Sequence, residues 1–176
     1  MLYYTSTAVT FREVPDQISR CFSISECGNH CEGCHSPELQ GKQGEPLTRE
    51  VIESLVEDDA LSGVNTYVFL GEGNDREALR ELLEFSRECG MMTCLYTGSD
   101  DISGFEDLIP LLNYIKVGHY DSELGGLDKE TTNQRFYIIE KLDDGGYERY
   151  DLTYVFREDP LLERKVWSKR TEEERV

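Results

Sequence analysis

Cys27, Cys31 and Cys34 fall within eight residues, at spacings of four and three, in the run CGNHCEGC. Thiolates are soft ligands that select zinc, copper or iron–sulfur centres. A run this short can fold back as a loop and aim three sulfurs at one centre. Gly28, Asn29 and Gly33 fill the gaps and tolerate the backbone angles a tight wrap needs. Three protein ligands leave a metal position unfilled, and an open position is where chemistry can occur. A structural zinc site is a competing arrangement, with His30, His35 or a distant cysteine as fourth ligand. Packing or disulfide roles compete as well. Zinc patterns usually separate two short ligand pairs by a longer interval. Here the second pair is missing, because Cys89 and Cys94 belong to different expected elements.

Residues 27–39, CGNHCEGCHSPEL, resemble the cluster motif of the radical S-adenosylmethionine (SAM) enzymes. More narrowly, they resemble the activating proteins of the anaerobic ribonucleotide reductase. Gly33 before the last cysteine and His35 after it match that subfamily, whereas the wider superfamily usually has an aromatic residue before the last cysteine. The resemblance implies one [4Fe–4S] cluster on Cys27, Cys31 and Cys34, with SAM on the fourth iron. It implies an oxidoreductase whose 5′-deoxyadenosyl radical abstracts hydrogen from a glycine Cα, leaving a glycyl radical. The implied partners are the large subunit of the anaerobic ribonucleotide reductase and a low-potential electron donor such as flavodoxin or ferredoxin. The expected compartment is the cytoplasm.

Two strand-end segments extend the resemblance. Gly71-Glu72-Gly73 is similar to the GGEP segment that lines the methionine end of SAM, with Leu70 in place of its first glycine and Gly73 in place of its proline. Thr97 and Gly98, in Tyr96-Thr97-Gly98, are similar to a YTG segment beside the SAM region. Asn133 and Gln134, within TTNQRFY, are similar to a late motif of the subfamily. The implied cofactor-binding set is thus Gly71, Glu72, Gly73, Thr97, Gly98, Asn133 and Gln134. Read without the resemblance, the first two segments are also ordinary turns, and the amides of Asn133 and Gln134 suit an Asx turn or edge hydrogen bonds. The likeness covers about residues 9–139. Two alternatives remain: a radical-SAM enzyme acting on another peptide or small molecule, and a non-enzymatic, zinc-stabilised interaction module.

These residues need elements to position them. Residues 1–14 suggest a strand or hairpin at an edge. Cys21, Phe22, Ser23 and Ile24 alternate with a two-residue period, as a strand that delivers the chain into the cysteine loop. Cys21 then packs in the core. Residues 41–46 read as irregular chain. Thr48 can cap a helix whose stripe is Val51, Ile52, Leu55 and Val56, its acidic residues facing solvent. Residues 66–70 form an apolar strand. Asn74 with Glu77 starts a second helix carrying Leu79, Leu82 and Leu83, and Gly90 stops it. A strand over 91–97, a short helix over 105–112 and a strand over 114–117 follow. Residues 118–132 suggest a surface or lid loop, and residues 136–142 and 147–156 pair as a hairpin across Asp143-Asp144-Gly145-Gly146.

This rhythm predicts an α/β fold. It is expected to be a compact, partial (β/α) barrel-like domain with a mostly parallel sheet, outer helices and a C-terminal hairpin. The domain is expected to occupy residues 1–160, with a charged helix or tail at 161–176. Functional loops are expected beyond the carboxyl ends of the strands.

Composition sets outer bounds. The 176 residues suit one domain. A net charge of −18 repels polyphosphate backbones and argues against general nucleic-acid binding. No apolar run is long enough to span a membrane, and the start of the chain resembles no export signal. Six cysteines without such a signal favour metal or redox use over a disulfide framework.

Overall fold

The computed structural model describes residues 1–34 and 36–157. The charged helix or tail expected at 161–176 lies outside the described residues, as does His35. Eight strands form one sheet: β1 (Leu2–Thr10), β2 (Ser19–Ile24), β3 (Glu45–Leu47), β4 (Thr66–Leu70), β5 (Met92–Tyr96), β6 (Tyr114–Val117), β7 (Arg135–Lys141) and β8 (Tyr147–Asp151). Their spatial order is β3-β1-β2-β4-β5-β6-β7-β8. Two helices, α1 (Arg49–Leu61) and α2 (Arg76–Glu88), accompany it.

The expectation of a mostly parallel, barrel-like sheet is incorrect. Parallel pairing is confined to β2-β4-β5-β6. The four remaining pairings, β1 with β2, β1 with β3, β6 with β7 and β7 with β8, are antiparallel, so the sheet is mixed with an antiparallel majority. The cause lies in the connections. A parallel neighbour needs a crossover of a dozen or more residues, which α1 and α2 supply in the middle. Short loops join β1 to β2 and β7 to β8, so those chains can only turn back. Residues 45–47, expected as irregular chain, form edge strand β3, where Pro46 is tolerated because no outer neighbour needs its missing N–H.

Alternation along the parallel strands assigns the two faces. Phe22, Ile24, Tyr67, Phe69, Leu95 and Ile115 share one core with Ile52 of α1 and Leu79, Leu82 and Leu83 of α2. Cys21, Val68, Cys94 and Tyr114 point the other way, into a second core with Val14, Phe136 and Leu152. Both helices therefore cover one face, while loops cover the other. Cys21 is a packing residue as expected, and burial pushes its thiol up to about 12. Cys94 is fully buried beside it in the same core.

Local signals differ in detail. Thr48 stands at the start of α1 but makes no side-chain capping bond. Asp75, not Asn74, caps α2, its carboxylate accepting from the Ala78 N–H at 3.0 Å. Gly90, at φ 82°, ends that helix as expected. The helix expected over 105–112 is only a 3-10 turn at Ile109–Leu111, because Pro110 has no N–H to continue a helical ladder. Among the described residues, no helix is long and apolar enough to cross a membrane.

One acidic residue expected at the surface is buried. Asp59 on α1 is 1% exposed and accepts from Arg20 Nε of β2 at 2.8 and 2.6 Å. Tyr67 of β4 donates to the same carboxylate at 2.9 Å. The Asp59 hydrogen bond raises the Arg20 guanidinium above its ordinary value. This three-element lock joins the first helix to the parallel strands that carry the candidate site.

Candidate functional site

The parallel strands β2, β4, β5 and β6 end at one edge of the sheet, so the loops that follow them emerge side by side. Those loops carry the cysteines, Gly71, Thr97 and Gly118 respectively. A cavity of about 170 Å³ opens among them. Cys27, Cys31 and Cys34 all line it, together with Gly71, Thr97 and Gly98. Ile24, Leu39, Leu70 and Tyr96 supply an apolar wall.

The cysteine loop is fixed at its base. Glu26 and Cys27 donate backbone hydrogen bonds to the carbonyls of Gly41 and Leu39, at 3.2 and 2.9 Å. Cys34 N–H closes a turn on the Cys31 carbonyl at 3.3 Å. Of the residues expected to take unusual angles, Gly33 does so, at φ 70°. Gly28 and Asn29 do not; Glu26 and His30 enter the left-handed region instead. Gly33 also lets the loop rest on residues 118–125, since a Cβ there would stand 3.3 Å from Ser122 Cβ.

Among the described residues, two of the sulfurs have nitrogen donors. Ser36 N–H points to Cys34 Sγ at 3.4 Å, and Asn29 Nδ2 to Cys27 Sγ at 3.7 Å. Gly98 makes room for that amide: a Cβ on Gly98 would lie 2.5 Å from Asn29 Nδ2. Gly98→Ala is therefore expected to displace Asn29 and weaken its contact with Cys27. Full-chain stability should change by less than about 1 kcal/mol, because Asn29 is exposed and movable. The measurement is the thermal midpoint, alongside the electronic spectrum recorded after anaerobic addition of iron and sulfide.

The other expected contacts divide. Thr97, 2% exposed, donates to the Glu72 carboxylate and receives the Ser99 N–H at 2.9 Å, tying the ends of β4 and β5 together. Glu72 thus reaches the cavity wall through Thr97. Gly73 packs away from it; a Cβ there would meet Leu2 at 2.5 Å. Asn133 and Gln134 do not line the cavity. Asn133 Nδ2 donates to the His119 carbonyl at 3.0 Å, and Gln134 Nε2 approaches it at 3.5 Å. They hold the turn that follows β6, next to Tyr120, which does line the cavity.

Lys116 escapes sequence reasoning. Its side chain lines the cavity yet is 8% exposed, and it donates to the carbonyls of Thr97 and Gly118. Burial pushes its ammonium down to about 8, and charge at Cys31 and Asp100 opposes that shift. The available signal was a lysine inside the apolar run Tyr114-Ile115-Lys116-Val117, since lysine is seldom buried without a partner. A folded value below the unfolded one means that the unfolded chain binds more protons between about pH 8 and 10.5. Lys116 burial therefore costs stability in full below pH 8, and the cost fades as pH rises through that window. Urea unfolding is expected to show wild-type stability gaining on Lys116→Met from pH 8 to 10.5.

Among the described residues, no three His, Cys, Asp or Glu side chains converge on a point where they could hold one metal ion. The three thiols stand around a cavity instead. A cubane takes each thiolate on a separate iron, so its ligands lie farther apart than donors sharing a single ion. Soft sulfurs, N–H donors at two of them, an apolar wall and a buried cation fit a cluster that needs shielding and a neighbouring anionic ligand. No family model, curated protein or solved structure matches the chain.

Proposed function

We propose that this chain is a radical-SAM activase that generates a glycyl radical on an anaerobic ribonucleotide reductase. The observation that carries the proposal is the meeting of Cys27, Cys31 and Cys34 with Gly71, Thr97 and Gly98 around one cavity. When bound, a [4Fe–4S] cluster with SAM would supply one-electron cleavage of the sulfonium and hydrogen abstraction from the target glycine.

The chain's own residues would bind and orient. Cys27, Cys31 and Cys34 would hold the cluster, with Asn29 and Ser36 donating to sulfur and stabilising negative charge there. Gly71, at φ 113°, admits close backbone approach by the methionine end of SAM. Among the described residues, Lys116 is the one lysine or arginine lining the cavity, and its ammonium would pair with the SAM carboxylate. The Thr97–Glu72 link would keep both strand ends in register with that ligand. Ile24, Leu70 and Tyr96 would exclude water from the reacting centre.

Lys116→Met is expected to raise the SAM concentration needed for half-maximal cleavage by about tenfold or more, the worth of one charge-assisted hydrogen bond. A titration of methionine release against SAM checks it.

The protein would act in the cytoplasm with a low-potential donor of the flavodoxin or ferredoxin kind. Its test is anaerobic reconstitution with iron and sulfide, then SAM, reductant and the reductase large subunit. A glycine-centred radical signal by electron paramagnetic resonance is the expected result. SAM cleavage without that signal would remove the reductase as target and leave another peptide or a small molecule as substrate.

A further inference from the structure

A second cavity, about 420 Å³, shares no lining residue with the cysteine cavity among the described residues. It exists because the helices run out before the sheet does. Helix α2 packs on β5 and on the 3-10 turn, and α1 packs on α2. On the same face, the hairpin β7–β8 is roofed only in part by the loop after β5. Ile139 and Arg149 are register partners there, and Tyr147 follows on that face two residues from Arg149. Ile102 and Ile109 close the apolar floor, and Asp101, Glu106 and Glu148 stand at the polar side.

Arg149 is the unusual lining residue. Its guanidinium lies over the Tyr137 ring, 5.3 Å from the centroid, which holds the plane in place. Its Nε is buried and meets no acceptor among the described residues. Arg149 also lines the cavity, so the guanidinium's terminal N–H groups are the ones a ligand oxygen can meet. Three carboxylates nearby would repel a simple anion, so the ligand must also carry a cation. The isoleucines require an apolar body between the two charges.

We propose that this cavity binds a zwitterionic apolar amino acid or dipeptide. The ligand carboxylate accepts from Arg149, the ammonium faces Asp101 and Glu106, and the side chain rests on Ile102, Ile109 and Ile139.

The test uses the full chain labelled with carbon-13 at isoleucine methyl groups and titrated with L-methionine or L-leucyl-L-leucine. Saturable shifts at Ile102, Ile109 and Ile139 are expected from at least one of them, and the tighter ligand decides between free amino acid and dipeptide. The corresponding amide, which lacks the carboxylate, is expected to bind about tenfold more weakly or worse. So is the N-acetyl form, which lacks the ammonium. Arg149→Met should lose binding, and exposed Glu106→Gln should weaken it without altering the fold. If Arg149→Met fails to fold, Arg149→Lys, which keeps the charge but lacks the planar fork of N–H donors, takes its place with loss of binding again expected. No saturable shift with either ligand, or equal binding of acid and amide, would overturn the proposal.

Discussion

Replacing any one of Cys27, Cys31 or Cys34 with alanine is expected to abolish cluster assembly and SAM cleavage while leaving the fold in place. Two facts separate these effects. The three thiols line a cavity in a loop and belong to neither core, so removing one sulfur leaves no void among the packed side chains. The loop's anchors are backbone hydrogen bonds to Leu39 and Gly41, which the substitutions do not touch. A cubane held by two protein thiolates instead of three loses one of its corners outright, and cluster occupancy should fall to background. By contrast, Cys94→Ser places a hydroxyl in a fully buried apolar site and should destabilise the chain while leaving the cluster ligands intact. Iron and sulfide content, the visible absorption band and the thermal midpoint, measured on all four variants, check the contrast. Equal loss of fold in the Cys27, Cys31 and Cys34 variants would make those residues structural.

The second large effect concerns stability. Asp59→Ala removes the acceptor shared by Arg20 and Tyr67 and leaves a mostly buried guanidinium without its counter-charge. Breaking a buried pair from one side costs about 3–5 kcal/mol. Small domains have only about 5–15 kcal/mol in total, so a large part of the margin goes with one carboxylate. Tyr67→Phe removes one hydrogen bond and keeps the ring against Phe22, at 5.6 Å between centroids, so its cost should be nearer 1 kcal/mol. Denaturant unfolding of both variants distinguishes the lock from ordinary packing. A loss below about 1 kcal/mol for Asp59→Ala would mean that Arg20 finds water once its partner is gone.

The strands of the parallel centre were legible one by one: β2 alternates with a two-residue period, β4, β5 and β6 are short, largely apolar runs ending near a glycine, and α1 and α2 carry helical stripes. Of the antiparallel flanks, the β7–β8 hairpin was legible from two strand-like runs around Asp143-Asp144-Gly145-Gly146, whereas the pairings of β1 with β2 and β3 and of β6 with β7 were not, because those partners are set by which edges remain open. Nothing inside residues 2–10 states that β1 will lie beside β2 and β3. The cysteine loop and the strand-end glycines could be found since their spacing is local. Lys116 and Asp59 were hidden for the opposite reason: each is polar by type, and only the tertiary arrangement buries it. Asn133 and Gln134 illustrate a third case. Their amides take the His119 carbonyl and so act on the cavity through the turn carrying Tyr120.

The most direct test of the central claim is Mössbauer spectroscopy of the protein reconstituted with iron-57 and sulfide, recorded with and without SAM. One [4Fe–4S] cluster per chain is predicted, with the signal of a single iron site changed when SAM is added. Stoichiometric zinc with no iron or sulfide, or a cluster whose spectrum SAM leaves unaltered, would contradict it.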